Sequence, residues 1–268
     1  MLSLHVAAGA SEEFDSLFGH LAIENSSHGN KIDYALNIQD EENWHVRSDV
    51  QAKFPRCKTI IDSDGLAVEN AAFRGRIELV GTRWVGFFKV PAGNIPALSI
   101  LTETFVAWST FASGGVFLHS SGVVRNNELF LFSGPSGSGK TTIARQLNDG
   151  GTPFCIEACC LFPDEEGNVI AYPTPFSDFK GEVPMSDPFQ VTCVSFIAQS
   201  RHPTIAPLSS SVAAMQLLQN SRFLLDADEF KAQALDTACA IASRLRCYRL
   251  QFSRDTGFWG ILEQALEG

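Results

Sequence analysis

The chain has 268 residues, 45% hydrophobic and 19% charged, with 20 Lys plus Arg against 30 Asp plus Glu and a formal net charge of −10. At about 150 residues per domain this is one large domain or two small ones, with enough apolar mass for a core and too little charge for disorder. The acidic balance, with no Lys/Arg run, argues against a nucleic-acid or anionic-membrane surface, since both rely on clustered positive charge.

In chain order, Met1-Leu2-Ser3-Leu4-His5 lacks a charged region followed by a long apolar run, so no secretory signal is expected. A short helix is predicted around residues 12–21, followed by the polar stretch 25–30. From Lys31 to about Val90 the pattern is β-like: Ile32, Tyr34, Leu36 and Ile38 alternate with polar neighbours, the period of a half-buried strand. Arg74 to Val90 reads as two strands joined at Gly81-Thr82, with Trp84, Phe87 and Phe88 supplying β-favouring bulk. Pro91 to Pro96 punctuates the chain and predicts a boundary. The expected domains are therefore 1–95, small, antiparallel and β-rich, and 96–268, an α/β domain.

Leu98 to Phe111 suits a buried helix ending at Gly114-Gly115. The apolar stretch Thr104 to Leu118 holds Ser, Thr and a Gly pair and is shorter than the ~20 residues a membrane span needs. Val116 to Val124 and Glu128 to Phe132 read as strands around the turn Arg125-Asn126-Asn127. A helix over Thr141 to Leu147, short strands to about residue 200 and two further helices follow. Within Ala227 to Arg246, Leu235, Ala238, Ala242 and Leu245 are expected on one apolar face. Tyr248, Leu250 and Phe252 alternate as a final strand, and Asp255 is expected to cap a last helix carrying Phe258, Trp259, Leu262 and Leu266.

The stretch that carries chemistry is Gly134-Pro135-Ser136-Gly137-Ser138-Gly139-Lys140-Thr141-Thr142, between an apolar strand and a helix. Its spacing, G-x-x-x-x-G-K-T, is that of a phosphate-binding loop (a Walker A motif). Glycines let the chain wrap so that successive backbone N–H groups point at phosphate oxygens, and a following helix N-terminus adds partial positive charge. Lys140 is placed to reach the β- and γ-phosphates, and the Thr141 hydroxyl to complete the coordination of nucleotide-bound Mg²⁺. ABC transporter ATPases share such a loop, but their glycine-containing signature is missing; Pro207 to Ser211 is the nearest Ser-rich stretch and has no glycine.

Leu118-His119-Ser120-Ser121-Gly122, the turn, and then Leu129 to Thr142 resemble the catalytic domain of HPr serine kinase/phosphorylase, and more closely the small stand-alone kinases related to it. Ala171 to Ser177 and Tyr248 to Asp255 with Phe258-Trp259 extend the resemblance, which covers residues 98–266. It implies a P-loop domain of the phosphoenolpyruvate-carboxykinase type and, in some relatives, a place in a peptide-modifying cassette. It implies phosphoryl transfer from ATP to a serine hydroxyl of a protein or peptide, with residues 134–142 binding the triphosphate and its metal and His119 beside the phosphates. Read alone, His119 fits a core histidine satisfied by one hydrogen bond better than it fits a site residue.

Relatives carry a Ser-Asp-Asp run after the loop's helix, whose acidic groups hold Mg²⁺ and take the acceptor's proton. Here the corresponding strand-like stretch is Phe154-Cys155-Ile156-Glu157-Ala158-Cys159-Cys160-Leu161, where Glu157 stands in for one carboxylate at most. The expected catalytic residues are thus Lys140, Glu157 and His119, with Thr141 and Glu157 on the metal. Pro163 to Asn168 reads as a solvated turn. Cys155, Cys159 and Cys160 have poor zinc spacing and are expected to be buried thiols. Arg201, Arg249 and Arg254 are open between phosphate contacts and surface roles. Seven cysteines without framework spacing suit a reducing cytoplasm. The alternatives are a non-catalytic nucleotide-binding module that recruits a partner, a nucleotide hydrolase, or a kinase of small molecules. Oligomeric state is left open.

Overall fold

The computed structural model describes residues 3–6, 33–41, 58–62, 65–69, 73–81, 83–91, 95–145, 151–174, 176, 187–221, 228–253 and 258–267. The expected helix at 12–21, the polar stretch at 25–30 and the cap at Asp255 lie outside these residues, as do Cys57, Leu147 and Arg254. The chain divides into two compact units, Met1–Ser109 with Leu224–Phe230, and Thr110–Phe223 with Lys231–Gly268.

The first unit is built on a six-stranded sheet. Its strands are β1 (Ser3–Val6), β2 (Asp33–Glu41), β3 (Lys58–Asp62), β4 (Gly65–Glu69), β5 (Arg74–Val80) and β6 (Arg83–Pro91). β3 to β6 form the expected antiparallel meander, with β5 and β6 joined through Gly81 at φ +64°. β2 then pairs parallel to β6 and β1 parallel to β2, so the sheet is mixed rather than antiparallel throughout. Leu66, Val68, Ile77, Phe88 and Val90 are buried in this unit, with Phe88 edge-to-face on Phe73 and on Phe105.

Phe105 belongs to α1 (Ile95–Ala112). From Leu101 to Phe111 every residue of this helix is buried, which suits a segment without amphipathic periodicity. Two of its hydroxyls are satisfied locally: Thr104 Oγ1 donates to the Ile100 carbonyl at 2.7 Å and Ser109 Oγ to that of Phe105 at 2.8 Å. The helix ends as expected at Gly114-Gly115, with Gly114 at φ +78° and the Gly115 N–H bonded to the Thr110 carbonyl.

The second unit holds nine further strands and four helices among the described residues: β7 (Val116–Leu118), β8 (Ser120–Arg125), β9 (Glu128–Ser133), α2 (Lys140–Arg145), β10 (Thr152–Cys155), β11 (Cys159–Pro163), β12 (Val169–Pro173), β13 (Phe189–Gln199), β14 (Thr204–Pro207), α3 (Ser210–Asn220), α4 (Asp228–Ala242), β15 (Arg246–Phe252) and α5 (Trp259–Glu267). β9, β13 and β15 lie parallel at the centre, with β8 and β10 antiparallel beyond β9 and β14 antiparallel beyond β15. β7, β11 and β12 form an antiparallel extension joined to the start of β13. Asn126 and Asn127, both at positive φ, make the β8–β9 turn, the hairpin geometry that the Asn pair predicts.

The central strands read as apolar runs because both faces are covered. Leu129, Leu131, Val194 and Phe196 face a core shared with Ala213, Ala214 and Leu217 of α3 and Ala238, Ile241 and Ala242 of α4. Phe130, Phe132, Ile197, Leu250 and Phe252 face a second core with Ile143 of α2 and Phe258, Trp259 and Leu262 at α5. Phe132 meets Phe258 edge-to-face at 5.6 Å and Phe130 meets Trp259 at 5.4 Å, pairs each adding about 0.5–1.5 kcal/mol beyond area burial.

Candidate functional site

The three parallel strands end at the same edge of the sheet, β9 at Ser133 opposite Phe196, and β13 and β15 further on at the paired Gln199 and Phe252. In layered α/β sheets, ligands bind outside the carboxyl ends of such strands. The chain leaves β9 there, runs through Gly134 to Gly139 and enters α2 at Lys140. The Ser138 N–H bonds to the Pro135 carbonyl at 3.1 Å, closing a turn whose third residue, Gly137, stands at φ +80°. That conformation calls for glycine. Pro135, Ser136 and Gly137 are exposed, Gly134 and Ser138 buried, and Thr141 and Thr142 half-buried in the first turn of α2.

Gly139 stands at φ +108°, and a side-chain carbon there would come within 2.5 Å of the Phe252 ring, so the end of the loop rests on an aromatic from β15. At the tip, Gln199 Nε2 donates to the Gly137 carbonyl at 3.0 Å. At the root, the buried Ser121 hydroxyl donates to the Lys140 carbonyl at 2.9 Å.

Lys140 folds back over the loop, its Nζ donating to the Gly134 carbonyl at 2.8 Å and to that of Pro135 at 3.0 Å. Burial lowers the pKa of this amine, and the Glu157 carboxylate acts in the opposite direction. The buried Ser138 Oγ has no hydrogen-bond partner among the described residues. Such a hydroxyl is costly to leave unmade, and a bound oxyanion would satisfy it.

His119 and Glu157 face each other where two strands change sheets. The expected continuous strand 116–124 breaks at His119 into β7, paired with β11, and β8, paired with β10. The expected strand 154–161 likewise breaks at residues 156–158 into β10 and β11, so Glu157 sits on a bend rather than within a strand. The bend is held across the break: the Ser120 N–H donates to the Glu157 carbonyl at 3.2 Å, and His119 Nδ1 lies 2.7 Å from the same oxygen. Because a carbonyl only accepts, Nδ1 carries a proton. Nδ1 is also 3.8 Å from the Glu157 carboxylate. The Ser133 hydroxyl donates to the His119 carbonyl at 2.9 Å, tying this corner to the last residue before the loop.

The structure thus brings Lys140, Glu157 and His119 into one neighbourhood. Ala158 is fully buried, and the Thr174 hydroxyl donates to its carbonyl at 2.7 Å. Asp164 and Asn168 close the turn between β11 and β12 on each other. Cys155, Cys159 and Cys160 are buried, and Cys160 accepts from the Thr110 hydroxyl at 3.2 Å. Arg201 lies exposed on the bend after β13, and Arg249 exposed on β15. Gln199, Ser121 and Phe252 as loop supports were not identified from sequence. A polar residue closing the apolar run of β13 is the one local signal for Gln199.

No curated protein matches the chain. Residues 97–267 match the family described as SynChlorMet cassette protein ScmC. The match begins in α1, takes in the loop, the His119 corner and α5, and spans well over half of the chain, which belongs to that family.

Proposed function

We propose that the chain binds ATP through residues 134–142 and transfers its γ-phosphate to a serine hydroxyl of a protein or peptide, as an HPr-kinase-like enzyme with a P-loop domain of the phosphoenolpyruvate-carboxykinase type. The observation that carries this reading is the buried Lys140 amine laid across the carbonyls of a glycine loop at the carboxyl ends of β9 and β13. Phosphate oxygens offer that amine stronger, charge-assisted partners than two neutral carbonyls do. The Ser138 hydroxyl and the backbone N–H groups of the loop add donors to the same anion.

Thr141 and Glu157 supply the oxygen donors that suit Mg²⁺, and they flank Lys140 in sequence and in electrostatic reach respectively. Bound Mg²⁺ neutralises charge on the phosphates. Lys140 holds the transferring group, and His119 sets the position of Glu157 through its backbone carbonyl. With Ala158 in place of a second carboxylate, loss of a dedicated base lowers the rate by about 10²–10⁴. Phosphoryl transfer relies chiefly on positioning and charge, so a slow enzyme is compatible with that loss.

Calorimetric titration of ATP with and without Mg²⁺, against Lys140→Ala, tests the reading. Mg²⁺-dependent binding lost in the variant supports it, and no binding by the wild type ends it. Ala158, closed in the core, favours a second reading, a nucleotide-binding module without transfer. Binding that is indifferent to Mg²⁺ selects that module.

A further inference from the structure

Gln199 is an exposed side chain at the carboxyl end of β13, yet its amide reaches back to the tip of the glycine loop, 62 residues earlier in sequence. The Gly137 end of that tip is otherwise open. Gly137 is exposed, stands at φ +80°, and has open space where a side chain would be. The turn from Pro135 to Ser138 is closed by one backbone hydrogen bond. The root of the loop, in contrast, is fixed by buried groups, Ser121 on the Lys140 carbonyl and the Phe252 ring beneath Gly139. Among the described residues, Lys140 Nζ holds the Pro135 end of this turn and the Gln199 Nε2–carbonyl bond at 3.0 Å holds its Gly137 end.

We infer that Gln199 is a positioning residue for the nucleotide, holding the Gly137–Ser138 peptide in the shape that receives the polyphosphate. The inference rests on the nucleotide-binding reading above. A trans peptide is planar, so pinning the Gly137 carbonyl also fixes the direction of the Ser138 N–H, which closes the turn onto the Pro135 carbonyl. A glycine tip without that restraint loses its backbone freedom on binding, and the ordering cost comes out of the affinity. Gln199 carries this ordering in the free protein.

The test is calorimetric titration of MgATP into the wild type, Gln199→Met, Gly137→Ala and the double variant, with Lys140→Ala as control and thermal unfolding of each. Methionine keeps the length of Gln199 and lacks the donor. The expected result is a Kd raised about threefold to tenfold in Gln199→Met, the worth of one hydrogen bond, with the unfolding temperature unchanged. Gly137→Ala already displaces the tip, so adding Gln199→Met to it should have little further effect. Wild-type affinity in Gln199→Met, full additivity in the double variant, or a lowered unfolding temperature at unchanged Kd overturns the inference while leaving nucleotide binding intact. Absence of MgATP binding by the wild type overturns both.

Discussion

Burial lowers the pKa of the Lys140 amine, and the nearby Glu157 carboxylate partly restores it. The charged amine is the form that attracts phosphate, so under the proposed function nucleotide affinity should fall as pH rises through the lysine's pKa. Glu157→Gln removes the restoring charge, so that loss should begin at lower pH than in the wild type, as read from ATP affinity across the alkaline range. If the two profiles coincide, the carboxylate does not act on Lys140. Gly139 gives a second outcome at this scale. A methyl there meets the buried Phe252 ring and forces alanine to φ +108°, so Gly139→Ala should cost about 1–3 kcal/mol in chemical denaturation and weaken nucleotide binding with it. The glycine loop and the Asn126-Asn127 turn were legible because each is a local pattern with its own backbone chemistry. Gln199 was not, because a bond spanning 62 residues leaves no periodic trace.

Apolar content was readable strand by strand, and α1, β7 to β9, β15 and α5 lie close to where the patterning put them. Two features at the scale of elements were not. In α4 the buried stripe is Ala234, Ala238, Ile241 and Ala242, while Leu235 is 42% exposed. Ala238 and Ala242 of the expected face are buried and Leu245 packs half-buried against the same core, so the expectation missed at Leu235 alone, whose place Ala234 and Ile241 take. The breaks at His119 and at residues 156–158 were also hidden, since the bends come from each strand joining different partners on its two halves. The thiols beside those breaks yield a prediction. Burial pushes Cys160, Cys193 and Cys247 up to about 12 and raises Cys155 well above its ordinary value, whereas Cys239 is exposed. Among the described cysteines, Cys239 alone should react with a thiol reagent in the native protein at pH 7, with the others following only on unfolding.

For the molecule as a whole, the boundary expected at Pro91 to Pro96 marks the start of α1, and the contacts divide the chain after Ser109. Composition and punctuation locate a loop but do not tell which core a buried helix fills. Phe105 packs on Phe88 of the first sheet, and Trp108 on Phe230. A chain begun at residue 97, where the family match begins, should therefore expose Phe105, bind a hydrophobic dye and aggregate more readily than the full chain. Equal solubility and dye binding would show that the first sheet is dispensable to that helix.

The corner formed by His119 and Glu157 joins residues 38 apart, and two of the loop's supports, Gln199 of β13 and Phe252 of β15, are made after it. Contacts of such long range form slowly, because chain closure precedes any gain from pairing. During synthesis the glycine loop therefore emerges well before the strands that seat it. The proposed nucleotide binding would become available only once β15 has joined the sheet, so occupancy of this loop would report that assembly is finished.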